Sequence, residues 1–245
     1  MRWMPPSPQR LFDATDATWP AVEFIDAPPF CLRRGGNGGQ RVSSATLIAD
    51  TASPHDIAAA AAAQAALGQD PLFMIRDGDD ALDATLETMG YRIKDPVTLY
   101  ACAPAQLAAA DSPELSAIIC AKPIARQREI WAEGGIGAAR LAVMARAKGA
   151  RAYILARQND RPVGAGFVAC DGDIAMLHAL EIHRDMRNCG AGRAASIGAA
   201  RWALAQGAAT FALMTTDDNA AANALYRGLG MLAVARYHYR IGPSP

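Results

Sequence analysis

"RNCGAGR", residues Arg187 to Arg193, sets two glycines around one small residue, with an arginine at each end, immediately ahead of an alanine-rich run. The strand-like "LEIH" precedes it, and the run that follows reads as a helix from about Arg193 to Ala205, ended by Gly207. A helix N-terminus leaves several N–H groups unpaired and carries about half a positive charge, so glycines that feed into one create a seat for an anion. A second stretch, "RRGGNGGQR" (Arg33 to Arg41), has more glycines but leads into the strand-like "VSSATLIA". No helix dipole stands behind it, and it reads as a flexible hairpin connection.

The totals restrict what the anion site can serve. The chain has 245 residues, 51% of them hydrophobic, which is enough for one large domain or two small ones with a real core. Lysine plus arginine equals aspartate plus glutamate at 24 each, so there is no basic field for nucleic acid or a membrane surface, and an anion must be caught locally. The five cysteines are odd in number and form no C-x-x-C, which fits reduced thiols in a cytoplasm and gives no metal site. The start "MRWMPPSPQRLF" lacks the apolar core of a secretion signal, and no run approaches the roughly 18 to 20 residues of a membrane span.

Along the chain, "VEFI", "FCLRR" and "RVSSATLIA" read as strands, and "SPHDIAAAAAAQAALG" as a helix with Ser53 as N-cap, Pro54 at its first position and Gly68 as its stop. "PLFMIR", "DDALDATLETMG" and "YRIKDPVTLYACA" read as strand, helix, and strand or strand pair. "PAQLAAADSPELS" reads as a polar connection, which divides the chain into 1–105 and 106–245. The second part opens with helices at Lys122 to Ala132 and Ala138 to Lys148. "RAYILARQ", "PVGAGFVAC" and "IAMLHALEIH" follow, separated by "NDRP" and "DGD", as an antiparallel meander. After the glycine motif come the strand "TFALMTT", the helix "NAAANALYRGLG" and the strand "VARYHYRI". A faint repeat relates "FMIRDGDDALDATLETMGYRIKDPVTLYA" to "FALMTTDDNAAANALYRGLGMLAVARYHYRI"; counted from their glycines, Asp79 and Leu86 stand where Asn219 and Tyr226 stand in the second copy.

"GAGRAA" also satisfies the dinucleotide pattern G-x-G-x-x-A. That reading needs the first turn of a parallel sheet and an acidic residue about 20 positions on, where this chain has Phe211. The whole of "LEIHRDMRNCGAGRAASIGAARWALAQGA" instead resembles the acetyl-CoA-binding motif of the GNAT superfamily of N-acetyltransferases, R/Q-x-x-G-x-G/A, through Arg187, Gly190 and Gly192. "TTDDNAAANALYRGLGM" is similar to the next GNAT block, N-x-x-A-x-x-L-Y-x-x-x-G-F, through Asn219, Ala222, Leu225, Tyr226 and Gly230, with Met231 in place of the usual Phe. The resemblance implies an α/β GNAT fold, with a mixed, mostly antiparallel central sheet flanked by helices. Residues 106–245 would be the acetyltransferase domain and 1–105 a smaller, degenerate GNAT-like copy, giving a tandem with one working site.

The resemblance also implies roles. Backbone N–H groups of Asn188, Cys189, Gly190, Ala191, Gly192 and Arg193, with Arg187, would cradle the pyrophosphate of acetyl-CoA; Glu181 and Ile182 would border the pantetheine, with Asn219 across a splayed strand pair. Asn219 reads equally as the N-cap of its helix. Tyr226 is the candidate general acid, since a phenol with a reference pKa of about 10 stays protonated at neutral pH; the other reading is core packing. His178 is the candidate base, its spacing from Arg187 being similar to that in arylalkylamine N-acetyltransferases, with a structural histidine as the alternative and Glu181 as a competitor. Cys189 invites a nucleophile reading, but no paired base is visible. Tyr237 and Tyr239 read as packing or pocket lining. Trp131, Glu133 and Arg140 are the candidate acceptor contacts, and Glu133 alone does not choose among an amino acid, a polyamine, an aminoglycoside and a protein N-terminus. The expected function is direct acetyl transfer to a primary amine of a small molecule or peptide, with a non-catalytic acyl-CoA sensor as the alternative and the oligomeric state open.

Overall fold

The computed structural model describes residues 3–113 and 115–243. Runs of alternating apolar residues separated by tight turns become strands β7 (Arg151–Gln158), β8 (Arg161–Asp171) and β9 (Ile174–Ile182), paired antiparallel in sequence order. Asn159 and Asp160 both take positive φ, 48° and 58°, as the two-residue turn of a twisted hairpin requires. Helix α7 (Ala191–Ala205) then carries the chain to β10 (Thr210–Thr216), which lies parallel to β9. The meander ahead of the glycine motif is therefore antiparallel, and the parallel crossover is the helix itself.

The first part contributes α1 (Pro8–Thr18), β1 (Glu23–Ala27), β2 (Phe30–Arg34), β3 (Ala45–Leu47), α2 (Pro54–Ala66), β4 (Leu72–Arg76), α3 (Asp80–Thr88) and β5 (Arg92–Cys102). Ser53 caps α2 in a reciprocal box with Asp56, and Pro54 starts the helix as its sequence requires. Three elements differ from the sequence reading, the first being α1, a helix where no element is expected. "RVSSATLIA" is not one strand but a single 3-10 turn, Gln40–Val42, followed by the three-residue β3. The polar connection holds α4 (Pro104–Ala108) and leads into a strand, β6 (Ala117–Cys120), on the outer edge of β7. Helices α5 (Ala125–Glu133) and α6 (Ala138–Arg146) follow, and the chain closes with α8 (Ala220–Gly228) and β11 (Leu232–Ile241).

Among the described residues eleven strands form one sheet in the order β1-β2-β3-β4-β11-β5-β10-β9-β8-β7-β6. Among the described residues its parallel pairs are β3/β4 and β9/β10, each joined by a helix. The repeat is a real relation in space, with the last strands exchanged: β5 pairs with β10 and β11 pairs with β4, while β5 and β11 run antiparallel side by side. Gly90 and Gly230 are 140 positions apart, and that offset matches Asp83 to Asn223 and Tyr100 to Arg240. Both pairs bond across the exchange. Tyr100 donates to Asn223 Oδ1 at 2.8 Å, and Arg240 Nε donates to Asp83 Oδ1 at 2.6 Å.

Helices α4, α7 and α8 cover one face of the sheet's second half, where Ala195, Ala199 and Ala203 pack on Ile154, Val168 and Phe211. Small side chains let α7 lie close; a Cβ on Gly198 would sit 2.5 Å from that of Ala117. Helices α1, α5 and α6 cover the opposite face through Leu11, Trp131, Val143 and Met144. No helix among the described residues is long and apolar enough to cross a membrane.

Candidate functional site

β9 and β10 are in register from Ile174/Thr210 to Leu177/Leu213, and there their pairing ends. Beyond that point β9 bulges: Ala179 and Leu180 together face the single residue Gly166 of β8, and Ala179 takes a φ of 49°. A bulge bends its strand and increases its local twist, so β9 leaves β10 and a wedge opens in the sheet. A cavity lies on each side. Ala179 and Thr216 wall one and Leu180 and Asn219 wall the other.

The cavity of about 320 Å³ on the α7/α8 side is lined by Glu181, Ile182, Arg187, Asn188, Gly190, Gly192, Arg193, Asn219 and Tyr226. Gly190 caps α7 at φ 87° with no side chain bonded to the exposed amides, and Asn188 is also left-handed at φ 60°. Successive amides in such a turn form an anion-binding concavity at the positive end of the helix. A Cβ on Gly192 would stand 3.3 Å from Leu225 Cδ2, so the bare backbone keeps the space between α7 and α8 open. Arg193 turns away and donates to the carbonyl of Asp111, leaving the helix mouth free. In the first copy the corresponding mouth is filled: the Asp56 carboxylate accepts from the N–H and hydroxyl of Ser53 at the start of α2.

The other candidate residues are placed as follows. Cys189 and Ala191 border a neighbouring depression of about 430 Å³ on the β7–β8 side; Cys189 is exposed and has no base beside it. Arg187 folds back onto β9, donating to the carbonyl of Ile182 at 3.1 Å and to Glu181 Oε1 at 2.9 Å. Glu181 lies against the α5–α6 turn, where a Cβ on Gly134 would meet its Cγ at 2.5 Å. Asn219 Oδ1 accepts from the N–H of Ala222 at 3.1 Å, so it caps α8 and also borders the cavity. Tyr226 is 6% exposed, and burial pushes its phenol up to about 12.

The cavity of about 330 Å³ on the other face is lined by Trp19, Gly39, Gln40, Arg41, Asp95, Arg140, Tyr237 and Tyr239, with Ala179 and Thr216 at the wedge. Three expectations need correction here. Trp131 is fully buried and its indole N–H donates to the carbonyl of Ala179 at 2.8 Å, so it supports the bulge from beneath instead of touching a ligand. Glu133 lines neither cavity; it pairs with Arg126 at 3.6 Å and His183 at 3.5 Å. His178 also lines neither: it is 3% exposed, between Trp19 and Phe167.

The bonds of His178 fix its tautomer. A guanidinium only donates, so Nδ1 accepts from Arg41 Nη1 at 3.3 Å, and Nε2 carries the proton toward Thr18 Oγ1 at 2.8 Å, whose hydroxyl donates to the carbonyl of Ala14. Burial first, and the Arg41 charge second, hold its pKa well below the ordinary histidine value, so the ring is neutral near pH 7.

The glycine stretch at 35–39, read as a loose connection, is a packed wall of this cavity. A Cβ on Gly38 would sit 2.5 Å from Val143 Cγ2 of α6. It delivers Arg41 and Gln40, which sequence reasoning missed, along with Trp19 and Asp95. Tyr237 and Tyr239 line the cavity as expected.

The family model of the GNAT acetyltransferases matches residues 106–231. No curated protein matches the chain. Among solved structures, a GCN5-related N-acetyltransferase from Kribbella flavida is similar over 96% of this chain and 95% of its own, with a TM-score of 0.71 at 19% identity. A conserved protein of unknown function from Staphylococcus epidermidis is similar over 94% of this chain and 97% of its own, with a TM-score of 0.68 at 10% identity. A tandem GNAT protein from the clavulanic acid biosynthesis pathway is similar over 82% of this chain and 76% of its own, with a TM-score of 0.57 at 13% identity. At these identities the likeness speaks for the fold.

Proposed function

The chain belongs to the GNAT acetyltransferase family, whose members transfer acyl groups from acyl-CoA, and from that premise we propose that it acetylates the primary amine of a small molecule by direct attack on acetyl-CoA. The observation that carries the reading is the wedge at Leu177/Leu213, which sets an uncapped helix mouth and a second, polar cavity on the two sides of one opening. In this reading the amides from Asn188 to Arg193 hold the pyrophosphate, and Gly192 leaves room for the chain that follows it. Acetyl-CoA supplies the acyl group: a bond forms from the amine nitrogen to the thioester carbonyl carbon, the C–S bond breaks, and the amine's proton is released.

Tyr226 gives its phenolic proton to the departing sulfur and is reprotonated from solvent; its raised pKa keeps it a donor across the neutral range. Glu181 takes the amine's proton, because it borders the cosubstrate cavity beside the wedge while His178 borders neither cavity. His178 positions Arg41. We further propose that residues 1–105 supply about half of the acceptor wall, through Trp19, Gln40, Arg41 and Asp95, while 106–245 supplies the rest of it and holds the cosubstrate.

A thermal-shift screen with acetyl-CoA, CoA, NAD and FAD tests the seat, and thiol release across an amine panel tests the chemistry. Stabilisation by both CoA species with thiol release is the expected outcome. Stabilisation by NAD or FAD alone, or CoA binding without turnover on any amine, overturns it; the latter would make the protein an acyl-CoA sensor.

A further inference from the structure

Arg41 occupies an unusual position for a cation. Its Nε is buried without a partner, and one Nη donates to the neutral His178 ring. Its guanidinium carbon lies 6.0 Å from the Trp19 ring centroid, and the phenols of Tyr237 and Tyr239 are its other neighbours. Among the described residues no carboxylate lies within ion-pair distance of it. Asp16, on the adjacent helix α1, is already held by Arg33 through two bonds of 2.6 and 3.2 Å. A guanidinium in this setting bears a desolvation cost with no counter-charge to offset it.

The packing around Arg41 is built, not accidental. Thr18, His178 and Arg41 form a directed chain of hydrogen bonds that ends at the guanidinium bordering the cavity. Arg140 reaches the same wall from α6; a Cβ on Gly39 would lie 3.6 Å from both its Nε and its Nη2, and it too has no ion-pair partner among the described residues. Asp95 is the one acidic group in the wall, which leaves the cavity with a net positive charge. At about 330 Å³ it lies at the small end of the range for small-molecule sites, roughly 300–1,000 Å³.

We propose that this cavity takes an acceptor that is itself an anion, an α-amino acid whose carboxylate is received by Arg41 and Arg140 while its amine points into the wedge between Ala179 and Thr216. A planar carboxylate matches the guanidinium edge that borders the cavity and neutralises the wall. The proposal rests on the acetyltransferase reading for its amine chemistry, but the carboxylate preference is a property of the cavity alone and is measurable without turnover.

The test uses the full chain and compares each of several free L-amino acids, methionine, leucine, phenylalanine and glutamine among them, with its primary carboxamide and its decarboxylated amine. Two readouts are taken: kcat/KM for thiol release, and binding by calorimetry in the presence of CoA. The acids are expected to exceed the amides and amines by about 10- to 100-fold in both, the scale of a charged hydrogen bond. Arg41→Gln and Arg140→Gln should remove that ratio while keeping the affinity for acetyl-CoA. Arg140 is exposed, so its variant decides the matter if Arg41→Gln fails to fold. Amides or simple amines used as well as the acids would overturn the proposal and leave the acetyltransferase reading standing. Acid-selective binding without thiol release would support the cavity assignment and overturn the enzyme. A preference for taurine over carboxylates would also overturn it, in favour of a sulfonate site.

Discussion

Tyr226→Phe removes one oxygen from a ring that is 6% exposed and tilted against Tyr100 at 5.8 Å between centroids, so its effect on packing at neutral pH is small. Its effect at alkaline pH is not. Burial raises the phenol from 10 to about 12, worth about 3 kcal/mol of difference between the two protonation states. Below pH 10 the phenol is protonated in both folded and unfolded chains and contributes no pH dependence. Between pH 10 and 12 the unfolded chain loses this proton and the folded one keeps it, so stability falls as pH rises. Urea titrations at pH 9, 10 and 11 should show wild type losing about 1 kcal/mol more than the variant between the last two points. Cys102 and Cys170, raised to about 12 and about 11, push both proteins the same way and cancel in the difference. In turnover, the same substitution should lower kcat by about 100-fold or more, with acetyl-CoA affinity little changed. Parallel stability curves from pH 9 to 11, or an unchanged kcat with acyl transfer rate-limiting, would refute the reasoning.

Three further outcomes are expected. His178 is neutral when folded and binds a proton near pH 6.5 when unfolded, so its contribution is intact above that pH and is lost as pH falls; His178→Gln should abolish one proton's worth of slope, about 1.4 kcal/mol per unit, in denaturation curves below pH 6.5. Gly192→Val places branched carbon 3.3 Å from Leu225 and, on the proposed function, in the path of acetyl-CoA; it should weaken acetyl-CoA binding by calorimetry at least tenfold while the far-UV circular dichroism stays native. Asp83→Asn removes the carboxylate held below its usual range chiefly by Arg240, with His238 also bonded to it; because Arg240 is 4% exposed, the loss should be about 3 kcal/mol in urea unfolding at pH 7 and shrink once pH falls below the ordinary carboxylate range.

What was legible in the sequence was local chemistry. Ser53 and Asp56 announce a helix start within four residues, Asn159–Asp160 announces a turn, and Gly190 announces an open helix mouth. The site's first half could be read because it is nearly all contributed by two contiguous segments. Its second half could not, because the burial of His178 depends on Thr18 and Trp19, some 160 positions away, and the value of Arg41 depends on which cavity its loop reaches. The period of β9 indicates which residues share a face but not what covers that face. For the same reason Trp131, attractive as a ligand contact, is instead a strut beneath Ala179. Partner choice at β11 is equally silent in the sequence, since its residues suit either edge it might join.

The insertion of β11 between β4 and β5 has a consequence for how this molecule comes into being. This ten-residue strand seals a gap opened by segments made more than a hundred residues earlier, so neither half can finish folding before β11 has emerged from the ribosome. Until then β4 and β5 present bare edges to other nascent chains. Cutting the gene into its two repeats would leave the first product open between β4 and β5 and the second open between β11 and β10, and mixing the two fragments should restore a soluble heterodimer where either alone precipitates.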